Sequence, residues 1–121
     1  MGTYAINNVV EVGRLTRDPE LRSLADGNSV CKLRLAVDGM GRGGETGYID
    51  VDAFGKSGEA CAQYLVKGRQ VVVRGRLQWH EWQPEVGSAR QVHHIVADQV
   101  QFLGGASEEA TAEAEPAEAA A

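Results

Sequence analysis

The chain has 121 residues and carries 12 basic against 17 acidic side chains, a formal net charge of −5. This length gives room for one domain with one hydrophobic core, and no apolar run approaches the roughly 20 residues that span a bilayer. A negative charge argues against a nucleic-acid binder, whose surface is usually basic. The acidic excess is confined to the C-terminus, however, because residues 1–103 carry 12 basic and 12 acidic side chains. The remaining five glutamates are Glu108, Glu109, Glu113, Glu115 and Glu118.

The first half of the chain is predicted to form two strands. Val9–Leu15 is rich in β-branched residues and ends before Asp18-Pro19, since proline interrupts a strand ladder. The turn residues at 25–28 lead into a second strand, Ser29–Val37. Its apolar residues alternate with polar ones, which predicts one buried face and one solvent face. The residues predicted to be buried are Cys31, Leu33, Leu35 and Val37.

A glycine-rich loop at 38–47 separates this strand from a third, Tyr48–Phe54. The pattern then changes to a helical period between Lys56 and Lys67, with Ser57 as the predicted N-cap. A fourth strand, Gln70–Trp82, alternates again, and its parity places Trp79 in the core beside Leu77.

A second loop follows, and a fifth strand is predicted at 90–103. Five strands with one helix between the third and the fourth is the layout of an OB-fold, an all-β five-stranded Greek-key barrel. SH3-like barrels and other small β-rich folds are alternatives, because strand period alone does not establish that a barrel closes.

Catalytic chemistry is poorly represented in the sequence. His93 and His94 are adjacent and therefore point to opposite faces of a strand. Asp50 and Asp52 share a face, but two carboxylates without further ligands fit a solvated surface better than a metal site. Cys31 and Cys61 are predicted to be buried reduced thiols rather than a disulfide. The sequence therefore predicts no enzyme, no cofactor and no metal.

Binding features are stronger. Tyr48, Phe54 and Trp82 fall on the solvent side of their strands, where aromatic rings can stack on unpaired bases while cations contact the phosphates. Asp50 and Asp52 share this side and would repel phosphate, so we expect them to pair with neighbouring arginines or to face a subunit. Cross-strand pairing or an oligomer interface is the alternative explanation for the aromatics. The cations predicted on the same surface are Lys32, Arg34, Arg74 and Arg76.

Several motifs occur in an order and spacing that resemble the bacterial single-stranded DNA-binding protein (SSB) family over about residues 5–104. The first is Val12-Gly13-Arg14-Leu15-Thr16-Arg17-Asp18-Pro19-Glu20-Leu21-Arg22. The others are Phe54-Gly55-Lys56, Tyr64-Leu65-Val66-Lys67-Gly68, Val71-Val72-Val73-Arg74-Gly75-Arg76-Leu77 and Ala97-Asp98-Gln99-Val100-Gln101-Phe102-Leu103.

The resemblance implies an OB-fold homotetramer that binds single-stranded DNA with little sequence preference, in replication, recombination and repair in the bacterial cytoplasm and nucleoid. By position, Tyr48, Phe54 and Trp82 match the family's base-stacking aromatics. Lys56, Lys67 and Arg22 match basic positions along its DNA path. The first-strand region, with Ile6, Val10 and Val12, matches the segment through which subunits pair.

Three departures from the family pattern affect these expectations. No aromatic stands near Met40, and Asp50 replaces a residue that is often basic. The sequence also departs from the family's Pro-Phe acidic tip, which docks replication and repair proteins. Such proteins remain possible partners, but the resemblance does not imply recruitment through that tip. From the composition and the extent of the resemblance, we expect an OB-fold domain at 1–104 and a disordered, acidic Ala/Glu-rich tail at 105–121. A protein-interaction OB module that has lost DNA binding is the main alternative, and a metal-dependent hydrolase using Asp50 and Asp52 is a more distant one.

Overall fold

The computed structural model describes residues 4–103, so the predicted tail at 105–121 lies outside the described residues. This part of the chain forms six strands, a 3-10 turn and one α-helix. Its helix is too short and too polar to cross a membrane. The elements are β1 (Val9–Leu15), β2 (Glu20–Ser23), β3 (Ser29–Val37), the 3-10 turn Arg42–Gly44, β4 (Gly47–Phe54), α1 (Gly55–Tyr64), β5 (Gln70–Trp82) and β6 (Arg90–Leu103).

Five of the strands close into a ring. β1 pairs antiparallel with β5 along most of its length and with β3 at its end, through Arg14↔Ala36 and Leu15↔Leu35. β3 pairs with β4, β4 runs parallel to β6, and β6 returns to β5. The closed ring, with the helix between β4 and β5, confirms the predicted OB-fold.

The structure adds one strand that the sequence pattern did not predict. β2 pairs with the start of β3, from Glu20↔Lys32 to Ser23↔Ser29, and lies on the edge of β3 that β1 uses further along. All four residues of β2 are exposed, so the strand has no buried face and no apolar alternation that could identify it.

The core lies inside the ring and confirms the predicted parity of β3. Leu33 and Leu35 are fully buried, as are Val51 on β4 and Val73 on β5. The helix α1 closes one end through Cys61, and it approaches the sheet so closely that a side chain at Gly58 would collide with the Ala53 carbonyl oxygen. The buried cluster comprises Leu15, Cys31, Leu33, Leu35, Val37, Val51, Ala53, Cys61, Leu65, Val71, Val73, Ile95, Ala97, Val100 and Phe102.

The helix begins and ends earlier than predicted. It starts at Gly55 directly after β4, with Phe54 in the N-cap position and no side-chain cap. Ser57 therefore lies inside the first turn, where its hydroxyl is buried, so the prediction that it caps the helix was wrong. The C-terminal cap is Leu65, whose N–H donates to the Cys61 carbonyl oxygen.

The prediction that Trp79 belongs to the core was also wrong, because this side chain is 56% exposed. β1 accompanies β5 only as far as Gly75, and beyond that point β5 pairs only with β6. From His94 onward β6 also pairs with β4, so the two-stranded part is Trp79–Trp82 with Arg90–His93, which we call the hairpin. A two-stranded ribbon has no layer above or below it, so alternation no longer separates core from solvent.

The two cysteines are free and buried, as predicted. Burial raises the pKa of the Cys31 thiol to about 11. It also raises the pKa of the Cys61 thiol above its usual range. Both thiols are therefore protonated at neutral pH and behave as small apolar core residues.

Candidate nucleic-acid interface

The candidate site is the outer face of the sheet formed by β3, β4 and β6. The register places Lys32 opposite Asp52 and Arg34 opposite Asp50 on neighbouring strands. On the other side of β4, Asp50 lies opposite His94. Directly paired residues point to the same side of a sheet, so these basic, acidic and imidazole side chains form one polar surface.

Asp52 is the centre of a chain of contacts across this surface. Its Oδ1 accepts a hydrogen bond of 3.0 Å from Lys32 Nζ, and its Oδ2 lies 3.6 Å from His94 Nε2. The His94 ring meets the His80 ring edge to face, with 5.7 Å between centroids. Only 12% of the Asp52 side chain is exposed, so a charge is held in a largely dry position by partners on both sides.

Asp50 makes a different kind of pair. Arg34 Nη1 donates to its Oδ1 over 2.9 Å, and the two side chains are 39% and 44% exposed. The same guanidinium lies over the Tyr48 ring, 5.6 Å from its centroid. The Arg34 guanidinium therefore contacts both the Asp50 carboxylate and one face of the Tyr48 ring. Asp50 thus pairs with an arginine, as expected, whereas Asp52 pairs with Lys32 rather than with an arginine.

Three adjoining cavities follow this surface, and we call them together the central groove. The first, of about 260 Å³, is lined by Lys32, Asp52 and His94 among others. The second, of about 410 Å³, shares Asp52 and His94 with the first and adds Phe54 and Arg76. The third, of about 600 Å³, shares Phe54 with the second and ends at Lys56. Shared lining residues therefore show that each cavity adjoins the next, from the outer face of the sheet to the turn between β2 and β3 and the start of α1.

The predicted aromatic residues are all exposed, but they stand at different places. Phe54 lies where the second and third cavities meet. Tyr48 sits beside Arg34 at the far end of β4. Trp82 is at the outer end of the hairpin, with the Arg90 guanidinium 6.0 Å from its ring centroid. Strand alternation puts Trp82 on the same side of the hairpin as the groove-lining residues of β5.

The predicted cations divide into two groups. Lys32, Arg22, Arg76 and Lys56 line the central groove. Arg22 pairs with Glu20 at 3.0 Å, which lowers the pKa of that exposed carboxyl, and Arg76 lies 3.4 Å from Asp98.

Three other predicted cations do not line the groove. Arg34 lies at its edge, between Asp50 and the Tyr48 ring. Arg74 stands opposite Val10 of β1, on the other part of the outer face. Lys67 lies beside the turn after β1, where its N–H donates to Asp18 Oδ1.

Sequence reasoning missed several residues of the groove. Arg17 and Glu20 line the first cavity together with His80, and Asp98 lines the second. Strand parity on β5 contained a signal for His80, because it shares the even positions with Arg76. Glu20 had no such signal, since β2 itself was not predicted, and Arg17 lies between β1 and β2, where no strand alternation applies.

The residues predicted for a subunit interface are exposed along β1. Ile6 is almost fully exposed, and Val10 and Val12 are about half exposed. Just before β1, the Asn7 side chain donates to the Leu77 carbonyl oxygen and accepts from the Leu77 N–H, at 2.8 and 2.9 Å. This amide continues the β1–β5 ladder by one step and fixes the start of β1 to the base of the hairpin.

The fold and the groove together define an OB-fold binding module with a polar, aromatic-edged face. Within residues 4–103, no group of three or more His, Cys, Asp or Glu side chains is arranged to hold a metal ion.

Residues 6–103 of the chain match the family model described as "Single-strand binding protein family". It is 39% identical over 104 residues to a protein of Treponema pallidum, and the aligned region covers 82% of this chain and 58% of that relative. It is 40% identical over 99 residues to one of Clostridium perfringens, covering 81% and 66%, and 37% identical over 115 residues to one of Helicobacter pylori, covering 89% and 64%. Each of these relatives is named single-stranded DNA-binding protein.

This chain belongs to the single-strand binding protein family. It spans about three-fifths of the length of the curated relatives that it matches, between 58% and 66% for the first four.

Proposed function

We propose that this protein binds single-stranded DNA with little sequence preference and is not an enzyme. The observation that carries the proposal is the central groove, an open path across the OB-fold sheet with the exposed ring of Phe54 in its course. An aromatic ring stacks on any base, and each stacked base contributes about 1–3 kcal/mol. Membership of the family and the printed names of the relatives support the same ligand.

In this proposal the bases stack on Tyr48, Phe54 and Trp82. Lys32 and the other cations that line the groove, Arg22, Arg76 and Lys56, contact the phosphates, and Arg34 does so at the Tyr48 end. Arg74 and Lys67 would join only where the DNA path leaves the groove. Coating of this kind keeps strands unpaired and protected in replication, recombination and repair. Its place is the bacterial cytoplasm, on the nucleoid.

We further propose that the protein acts as a homotetramer. Val10 and Val12 on β1, with Ile6 just before it, offer apolar surface, and burying such surface favours association. A wrapped strand would then pass over several grooves, which increases the total binding free energy through linked sites. Light scattering with and without oligo-dT measures the assembly and its complex together.

Trp fluorescence tests DNA binding directly, because the only two tryptophans, Trp79 and Trp82, both lie on the hairpin. In the Trp79→Phe variant the signal comes from Trp82 alone. We expect oligo-dT to quench this signal and the affinity to fall as salt rises. No quenching and no mobility shift at low salt would refute the proposal.

The second candidate is a protein-interaction module in which the same surface binds a protein. It is favoured by the ion pairs, since Lys32 and Arg34 are already neutralised by carboxylates. Failure to bind oligo-dT, together with an intact fold and assembly, would support this candidate over DNA binding.

A further inference from the structure

The cations of the candidate interface are not all equally available. Lys32 and Arg34 each have a carboxylate within hydrogen-bonding distance on β4, at 3.0 and 2.9 Å. A phosphate that approaches either cation finds its place taken by an acceptor of the same charge. A phosphate that binds Lys32 or Arg34 therefore competes with a carboxylate that is already bound to the same cation.

The two pairs differ in how readily they can exchange. Asp52 has both oxygens near basic groups and is 12% exposed, so withdrawing Lys32 would leave a carboxylate in a dry position. Breaking such a pair is strongly unfavourable. Asp50 is 44% exposed and accepts through one oxygen from Arg34, so water can replace the guanidinium when the pair opens. An exposed pair of this kind contributes only about 0.2–1 kcal/mol.

Opening the Arg34–Asp50 pair also affects an aromatic residue. The guanidinium that binds Asp50 is the one that lies 5.6 Å from the centroid of the Tyr48 ring. When it turns to a phosphate, the Tyr48 face that it covers becomes available to a base. The phosphate contact and the stacking contact at this end of β4 are thus gained in one step.

We propose that Asp50 is a built-in competitor of the DNA backbone, whose carboxylate occupies Arg34 until a phosphate displaces it. This inference rests on the proposed binding of single-stranded DNA and specifies how one site of that surface is regulated. The Lys32–Asp52 pair stays closed, and Lys32 contacts a phosphate only through an N–H that Asp52 does not use, so the Arg34–Asp50 pair is the exchangeable one.

The exchange has a signature in the salt dependence of binding. When a free cation neutralises one phosphate of single-stranded DNA, condensed counterions are released. The logarithm of the binding constant then falls by about 0.7 for each tenfold rise in salt concentration. When the phosphate displaces a carboxylate, the freed carboxylate attracts cations from solution and offsets this release. Asp50 therefore weakens binding and flattens its salt dependence at the same time.

The test compares oligo-dT binding of the wild type and Asp50→Asn over a range of salt concentrations. We expect Asp50→Asn to bind roughly 2- to 5-fold more tightly at low salt and to steepen the slope by up to about 0.7. Glu81→Gln is the matched control, because it removes one negative charge from an exposed position on β5, on the side of the hairpin opposite the groove-lining residues. This control should leave the slope unchanged.

A second background separates displacement from general repulsion. In Arg34→Gln, the carboxylate has no guanidinium to occupy, so adding Asp50→Asn should no longer steepen the slope. An equal change of slope in both backgrounds would overturn the inference, as would wild-type affinity and slope in Asp50→Asn. If neither the wild type nor Asp50→Asn binds oligo-dT, the proposed function fails and the inference with it. Binding by both with identical slopes refutes the inference alone.

Discussion

The two halves of β5 form one continuous strand but behave differently. From Gln70 to Gly75 the strand has β1 on one side and β6 on the other, and Val71 and Val73 are fully buried. From Leu77 to Trp82 it has only β6, and every residue is exposed. The comparison shows that burial depends on how many strands and layers surround a residue, while alternation only decides which residues share a side.

The same comparison separates stability from binding. In the barrel half, alternation divides core from surface, and the apolar residues stabilise the fold. In the hairpin half, alternation gives two exposed sides. One carries Trp82 and His80, and His80 lines the central groove. The other carries Trp79, opposite His93. Substitutions in the two halves should therefore affect different measurements.

The largest expected effect is on stability and comes from the barrel half. Phe102 pairs with Val71 and is 1% exposed, so Phe102→Ala removes a fully buried ring and should lower the free energy of unfolding by about 3–5 kcal/mol. Trp79→Ala in the hairpin should change it by less than about 0.5 kcal/mol, as exposed positions usually do. Urea denaturation followed by circular dichroism measures both.

If both variants lost the same free energy of unfolding, Trp79 would be packed as tightly as Phe102. That result would contradict the difference in burial between the two halves of β5. Repeating the measurement at several protein concentrations identifies the source of such packing. A cost for Trp79→Ala that depends on concentration would place this side chain in a contact between subunits.

The sequence predicted the barrel well because its strands carry a clear period of two. Leu33 and Leu35 could be assigned to the core from alternation alone, and the helix from the change of period after Phe54. β2 could not be predicted, since its four exposed residues contain no alternation. The position of Trp79 could not be predicted either, because alternation does not reveal where a neighbouring strand ends.

The site was predictable as a set of exposed residues but not as a set of contacts. Parity placed Lys32 and Arg34 on one side of β3 and the two aspartates on the same side of β4. Which cation meets which carboxylate depends on the register of the two strands, and this follows from the whole ring rather than from either strand. The asymmetry between Asp50 and Asp52 arises from His94, which β6 brings to β4 through a parallel pairing.

A smaller effect, on binding, should come from the hairpin half. Trp82→Ala should weaken oligo-dT binding by about 1–3 kcal/mol, which is the loss of one stacked base, and leave assembly unchanged. Trp79→Ala is the matched control, since it removes the same ring from the opposite side of the same ribbon. Fluorescence anisotropy of labelled oligo-dT measures both variants without relying on tryptophan emission. Equal weakening by the two variants would show that the hairpin does not present one side to DNA.

The smallest expected effect concerns the two buried thiols, Cys31 and Cys61, which should not react with an alkylating reagent. Burial raises the pKa of Cys31 from 9.0 to about 11, so at pH 8 only about one thiol in a thousand is ionised, and the thiolate is the reactive form. Iodoacetamide should leave Cys31 and Cys61 of the folded protein unmodified over an hour. A thiol introduced at an exposed hairpin position, Gln91→Cys, should react within minutes.

The sign of the pH dependence follows from the same burial. Between pH 9 and 11 the Cys31 thiol ionises in the unfolded chain but stays protonated in the folded one, so the free energy of unfolding falls as pH rises through this window. Cys31→Ala should lose that part of the alkaline destabilisation, and denaturation at pH 8 and pH 10 measures the difference. If the native thiols react as fast as the introduced hairpin thiol, the barrel opens as readily as the ribbon. The contrast between the two halves of β5 would then describe an average structure and not a difference in local stability.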